Sequence, residues 1–114
     1  MSLSVKQRKF MRLLTKLLVW VHKQDGYEVT QGDGYRDHRV FGRPGVKKGY
    51  GRSMSNHKIR LACDLNLFIN GVYQTTTKAH RPLGVYWESL DSECAWGGHF
   101  SDGNHYSLKH NGRR

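Results

Sequence analysis

Between Leu61 and Thr76 the chain alternates. Leu61, Cys63, Leu65, Leu67 and Ile69 occupy every second position, with Ala62, Asp64, Asn66 and Phe68 between them. Successive side chains of a strand point to opposite faces, so this spacing commits the segment to a strand with one buried face. Asn70-Gly71 follows at once. Both residues tolerate the positive φ of a two-residue hairpin turn, so the chain must reverse there and return along Val72–Thr76 as an antiparallel partner. A fixed hairpin excludes an all-helical fold, and 114 residues leave room for one domain with a modest core.

The flanking sequence supplies helices. Phe10, Leu13, Leu14, Leu17 and Val21 fall at helical spacing, while Lys9, Arg12, Lys16 and Lys23 lie mostly on other faces. With Ser4 as an N-cap and Gly26 as a stop, residues 1–26 predict an amphipathic helix packed on a domain that spans 1–114. Its basic face leaves a second reading open, contact with a membrane surface. Tyr27–Thr30 reads as a short strand, Gly84–Leu90 as a short helix and His105–Lys109 as a last strand. The class is α+β: an antiparallel sheet with flanking helices. The longest apolar run of the N-terminal segment, Leu17–Val21, is too short to span a bilayer, and no small-residue cleavage site follows it, so neither a signal peptide nor a membrane span is expected. Cys63 and Cys94 form no CxxC pair, which argues against a thiolate zinc knuckle. Two free, buried thiols are expected of a product made in a reducing cytosol, in preference to one disulfide.

The net charge is +10, from 19 Lys and Arg against 9 Asp and Glu. That balance favours anionic partners, and nucleic acid, cell-wall polymers and anionic lipid all qualify. Many of the cations sit in a long Gly- and Arg-rich loop before the hairpin. Arg39, Arg43, Lys47, Lys48 and Arg52 there are expected to draw the protein to an anionic surface.

Asp64 breaks the apolar run. An unpaired carboxylate is costly to bury, so the residue needs a compensating partner, and a metal ion is one. His57 lies seven residues earlier. An odd separation sends two residues of one strand to opposite faces, so His57 can join Asp64 only from a loop or bulge ahead of the strand. His105 opens the last strand, where a neighbouring position would set it beside Asp64. Three residues before it, in the turn SDGN, Asp102 is placed to serve as a general base. Of the remaining histidines, His99 is an alternative ligand to His105, and His22, His38, His80 and His110 are expected at the surface.

SNHKIRLACDL followed by WGGHFSDGNHYSL resembles the two zinc motifs of the M15 peptidases, which include D-alanyl-D-alanine carboxypeptidases and dipeptidases and phage endolysins that cut L-alanyl-D-glutamate bonds. Ser55, His57, Asp64, Trp96, Gly97, Gly98, Asp102 and His105 match the family pattern in order, and GYRD resembles its Gly-Tyr-Arg turn. The resemblance implies Zn²⁺ held by His57, Asp64 and His105, Asp102 as catalytic base and Arg36 as the group that assists the oxyanion. Ser55, Trp96 and Tyr106, which flank the ligands, are expected to bind substrate. It further implies a peptidoglycan stem peptide as substrate and the anionic wall as partner. A monomeric phage enzyme is expected, held in the host cytoplasm until release or carried in the virion. This chain has Arg60 where the family usually has Gly, and Ser107 where it often has Glu. Three rivals stand beside this reading, and the first shares its chemistry: a D,D-carboxypeptidase or dipeptidase acting on D-Ala-D-Ala. A virion structural protein that has kept the fold without catalysis is disfavoured by the intact ligand and base set. A ββα-metal nuclease would need a helix after the hairpin to carry the last histidine, and none is expected after His105.

Overall fold

The computed structural model describes residues 2–35 and 55–114. Arg36, His38 and the loop cations from Arg39 to Arg52 lie outside them. Two helices, α1 (Leu3–Lys23) and α2 (Arg81–Leu90), pack on a five-stranded antiparallel sheet of β1 (Tyr27–Gln31), β2 (Ala62–Ile69), β3 (Val72–Tyr73), β4 (Cys94–Trp96) and β5 (His105–Leu108). The strands run β1-β2-β5-β4, with β3 also paired to β2. The expected α+β class is therefore found.

β2 is the organising strand, and its alternation does what the pattern requires. Cys63, Leu65 and Leu67 are buried in one core with Tyr106, Leu108, Cys94 and Trp96 from neighbouring strands and with Phe10, Leu13, Leu14, Leu17 and Val21 of α1. Asn70 and Gly71 turn the chain with φ of 51° and 78°. The returning strand is shorter than expected, because only Val72 and Tyr73 pair with β2. β5 takes over the same edge of β2 further along, pairing at Ala62, Cys63 and Asp64. Where β3 and β5 diverge, a polar hollow of about 220 Å³ opens, lined among others by Gln74, Thr75, Thr76, Thr77, Ser101, Asp102 and Asn104.

α1 is capped two residues earlier than the pattern suggested, with Ser2 Oγ accepting from the Val5 amide at 3.2 Å. α2 starts at Arg81 rather than Gly84, because Pro82 suits the first turn of a helix and a short 3-10 turn, Lys78–His80, leads into it. Strand β4 was not apparent in the sequence, since three residues are too few to show a period. Trp87 of α2 joins the layers: its indole N–H is shared between the carbonyls of Ala95 and Ser107, each at 3.1 Å. Both cysteines are free and buried, as expected, and burial pushes the Cys63 and Cys94 thiols up to about 11 and about 12. His80 is also buried rather than on the surface, with Nδ1 at 2.8 Å from the Tyr106 hydroxyl.

Candidate metal centre

The face of the sheet turned away from the helices carries Asp64 on β2 and His105 on β5, which stand directly opposite each other. Asp64 directs both backbone groups to the other side: its amide donates to Asp33 O at 2.7 Å and its carbonyl accepts from the Gly32 amide at 2.8 Å. Asp64 and His105 are thus a non-hydrogen-bonded pair, the arrangement that brings opposed side chains closest in an antiparallel ladder. Asp64 Oδ1 lies 3.4 Å from His105 Nδ1.

His57 reaches the same point from a 3-10 turn, Asn56–Ile59. Ser55 caps the turn, its Oγ accepting from the His57 amide at 3.2 Å, and Asn56 Nδ2 ties it to the β5 carbonyl of Leu108 at 2.7 Å. Arg60 then takes φ 60° and ψ 33°, and the chain turns back so that the Leu61 amide donates to Asn56 O. This reversal answers the odd spacing, because His57 does not belong to the strand. Its Nε2 lies 3.2 Å from Asp64 Oδ1.

Arg60, where the resemblance leads one to expect glycine, has left-handed backbone, a conformation costing non-glycine residues roughly 1–2 kcal/mol. The arginine is exposed, with its guanidinium 3.9 Å from the centre of the Tyr35 ring, a contact that recovers about 0.5–1 kcal/mol. Arg60→Gly should therefore change stability by no more than about 1 kcal/mol and leave metal content unchanged, as denaturant melts and metal analysis would show. At the second departure, Ser107 lies fully buried on the His105 side of β5, opposite Ala62 and Ala95. An unpaired carboxylate in this small-residue row would cost more to bury than the Ser107 hydroxyl, which itself has no hydrogen-bond partner among the described residues.

The three donor atoms lie within 4.8 Å of one another. His57 Nδ1 is 2.7 Å from Gly34 O, a carbonyl that only accepts, so Nδ1 carries a proton and Nε2 is the ring nitrogen turned to Asp64. His57 Nε2 and Asp64 Oδ1 are buried without hydrogen-bond partners. Two imidazoles and one carboxylate converging in this way could hold a metal ion. Burial alone would raise the Asp64 carboxyl, but the two imidazoles beside it, His105 and His57, outweigh it and hold the group down at about 2, so it is ionised throughout the neutral range. The Gly34 carbonyl was missed in the sequence; the Gly-Asp-Gly run before Tyr35 was its only trace.

Asp102 is exposed at the rim of the polar hollow, in the turn leading into β5, where the His105 amide donates to Asp102 O at 3.1 Å. His99 is exposed and paired with Glu88 at 2.8 Å, so it is not part of the centre. Ser55, Trp96 and Tyr106 are buried, and each is engaged within the fold. Ser55 caps the His57 turn. Tyr106 is fully buried on the helix side, bonded to His80. The Trp96 indole lies close to Gly84 and Gly98 and donates to Gly103 O at 2.7 Å, fixing the turn that carries Asp102.

Gly97 is a further point of constraint. A Cβ there would lie 2.1 Å from Asp102 O and 2.7 Å from the His105 Cβ. Gly97→Ala should destabilise the protein by about 1–3 kcal/mol and lower its metal content, whereas a substitution at Gly98 would press only on the Trp96 ring. Thermal melts with parallel metal analysis would separate the two.

A histidine–aspartate–histidine cluster on the face of a small antiparallel sheet away from the helices is a group that could hold a metal ion. The family model described as D-alanyl-D-alanine carboxypeptidase matches residues 48–108, and the chain belongs to that family, the M15 peptidases. No curated protein matches the chain. The chain is a peptidase by family, and peptidoglycan-related chemistry goes with it.

Proposed function

We propose that this protein is a zinc-dependent peptidase that cuts stem peptides of peptidoglycan at the L-alanyl-D-glutamate bond, as a phage endolysin or virion-associated enzyme. One observation carries the metal assignment: His57 Nε2 and Asp64 Oδ1 are buried 3.2 Å apart without hydrogen-bond partners, and His105 joins them in a cluster of three donors. Zinc held by His57, Asp64 and His105 supplies a Lewis acid for the scissile carbonyl and brings water within reach of deprotonation near neutral pH. The remaining roles fall to the chain. Gly34 O and the Asp64–His105 register hold the ligands in place before substrate arrives. Asp102 takes the proton of the attacking water and passes it to the leaving amine. Arg36 steadies the oxyanion, a role that rests on the resemblance alone. The polar hollow beside Asp102 offers hydroxyl and amide groups to the peptide backbone of the stem. In this reading the protein stays in the host cytoplasm until it is released to the wall, or travels in the particle.

The family description favours a second reading, removal of the terminal D-alanine. Digestion of purified muropeptides followed by mass spectrometry decides between them. A new amino terminus on D-glutamate supports the endopeptidase, and release of free D-alanine supports the carboxypeptidase. Intact muropeptides together with nicked DNA would return the assignment to the nuclease. Among the described residues no helix follows β5, as such a nuclease would need.

A further inference from the structure

The outer face of α1 has no part in the metal centre. The helix runs 21 residues without one acidic side chain. Of its cations, Lys6 and Lys9 are taken up inside the fold, Lys6 by Glu93 and Lys9 by Asp91 and Glu93, all at 2.9 Å. Arg8, Arg12, Lys16 and Lys23 remain exposed and form no ion pair among the described residues. At 100° per residue they share the face opposite the buried stripe of Phe10, Leu13, Leu14, Leu17 and Val21. Exposed apolar side chains stand among them: Val5 at 37%, Met11 at 58% and Val19 at 50% of full exposure.

Beside this face lies a shallow, mainly apolar hollow of about 230 Å³, lined by Thr15, Lys16, Val19, Trp20, Lys23 and Tyr86. The Trp20 and Tyr86 rings in it are stacked, 4.8 Å apart and inclined by 13°. Two ammonium groups thus border an apolar patch. A polyanion such as nucleic acid or a wall polymer would use the charges and leave Val5, Met11 and Val19 without a partner. A bilayer with anionic headgroups uses both, phosphates against the lysines and acyl methylenes against the valines and the aromatic pair.

We propose that the outer face of α1 is a docking surface for anionic lipid bilayers, on which the helix lies flat while its apolar stripe stays in the core. No helix among the described residues is long and apolar enough to cross a membrane, so the association is peripheral. Each cation near an anionic surface is worth about a factor of five in affinity, so removing three should weaken binding on the order of 100-fold.

The test is co-sedimentation of the whole protein with phosphatidylcholine vesicles and with vesicles containing phosphatidylglycerol, at low and high salt. Binding is expected only to the anionic vesicles, weakening with salt. It should be lost on the order of 100-fold in Arg12→Gln/Lys16→Gln/Lys23→Gln and reduced about tenfold or less in Met11→Ser/Val19→Ser, which keeps the charge. Circular dichroism checks that both variants fold; these positions are exposed, and cleavage of a soluble stem peptide should be unchanged. Equal vesicle binding by wild type and the triple variant overturns the proposal. So does vesicle binding that ignores Met11→Ser/Val19→Ser while DNA or a wall polymer binds through the same three cations, which would make the face a polyanion site.

Discussion

Alanine at His57 or at His105 should abolish zinc binding, taking the protein from about one ion per chain to a trace. The expectation follows from the geometry around Asp64 Oδ1, which has His57 Nε2 at 3.2 Å and His105 Nδ1 at 3.4 Å. Removing either imidazole leaves two ligands, too few to compete with water for the ion. Activity should fall to background in both. Metal-free wild type is the control for folding, since the cluster is buried and each change also removes packing; far-ultraviolet circular dichroism of the variants should match it. If both variants keep full zinc with their fold intact, the ion lies elsewhere and the reading of Asp64 as a ligand is wrong. His99→Ala should keep zinc and activity, because that ring is exposed and bound to Glu88 outside the cluster.

Asp102→Asn should leave fold and zinc content unchanged and lower turnover roughly 100- to 10,000-fold, the range for loss of a general base. Asp102 is exposed, and its contribution to the turn comes through its backbone, with the carbonyl accepting from His105 and the amide bonded to Gly97 O at 2.9 Å. Asparagine preserves both contacts and removes only the proton acceptor. The loss should appear in kcat with KM little changed, since a base acts in the transition state rather than in binding. Turnover of a soluble stem peptide at the wild-type rate would exclude Asp102 as the base.

Much of this centre was legible in the sequence because it obeys local rules. The alternation from Leu61 to Ile69 set the faces of β2 and marked Asp64 as the one carboxylate pointing away from a leucine-lined core. Asn70-Gly71 set the reversal through the positive φ that both residues adopt. The spacing of His57 required a turn rather than a strand, and the structure supplies it at 56–59. What stayed hidden depends on which segments meet. A side chain carries no mark of the strand that will stand beside it, so the pairing of Asp64 with His105 was an expectation until the register was known. Burial was misjudged for the same reason. Tyr106 and His80 look like surface or cleft residues in isolation, yet they form a buried pair because α2 and its lead-in turn cover that side of β5. Backbone acceptors leave still less trace: any residue carries the carbonyl that Gly34 offers to His57, and only the folded chain brings it within 2.7 Å. The sequence by itself thus determined the strand and the hairpin, since periodicity and turn chemistry act between near neighbours, and its motifs named the three residues that cluster. The tertiary structure alone decided how the ligands converge, which neighbouring residues support them and which face the solvent, because those depend on contacts between segments distant in the chain.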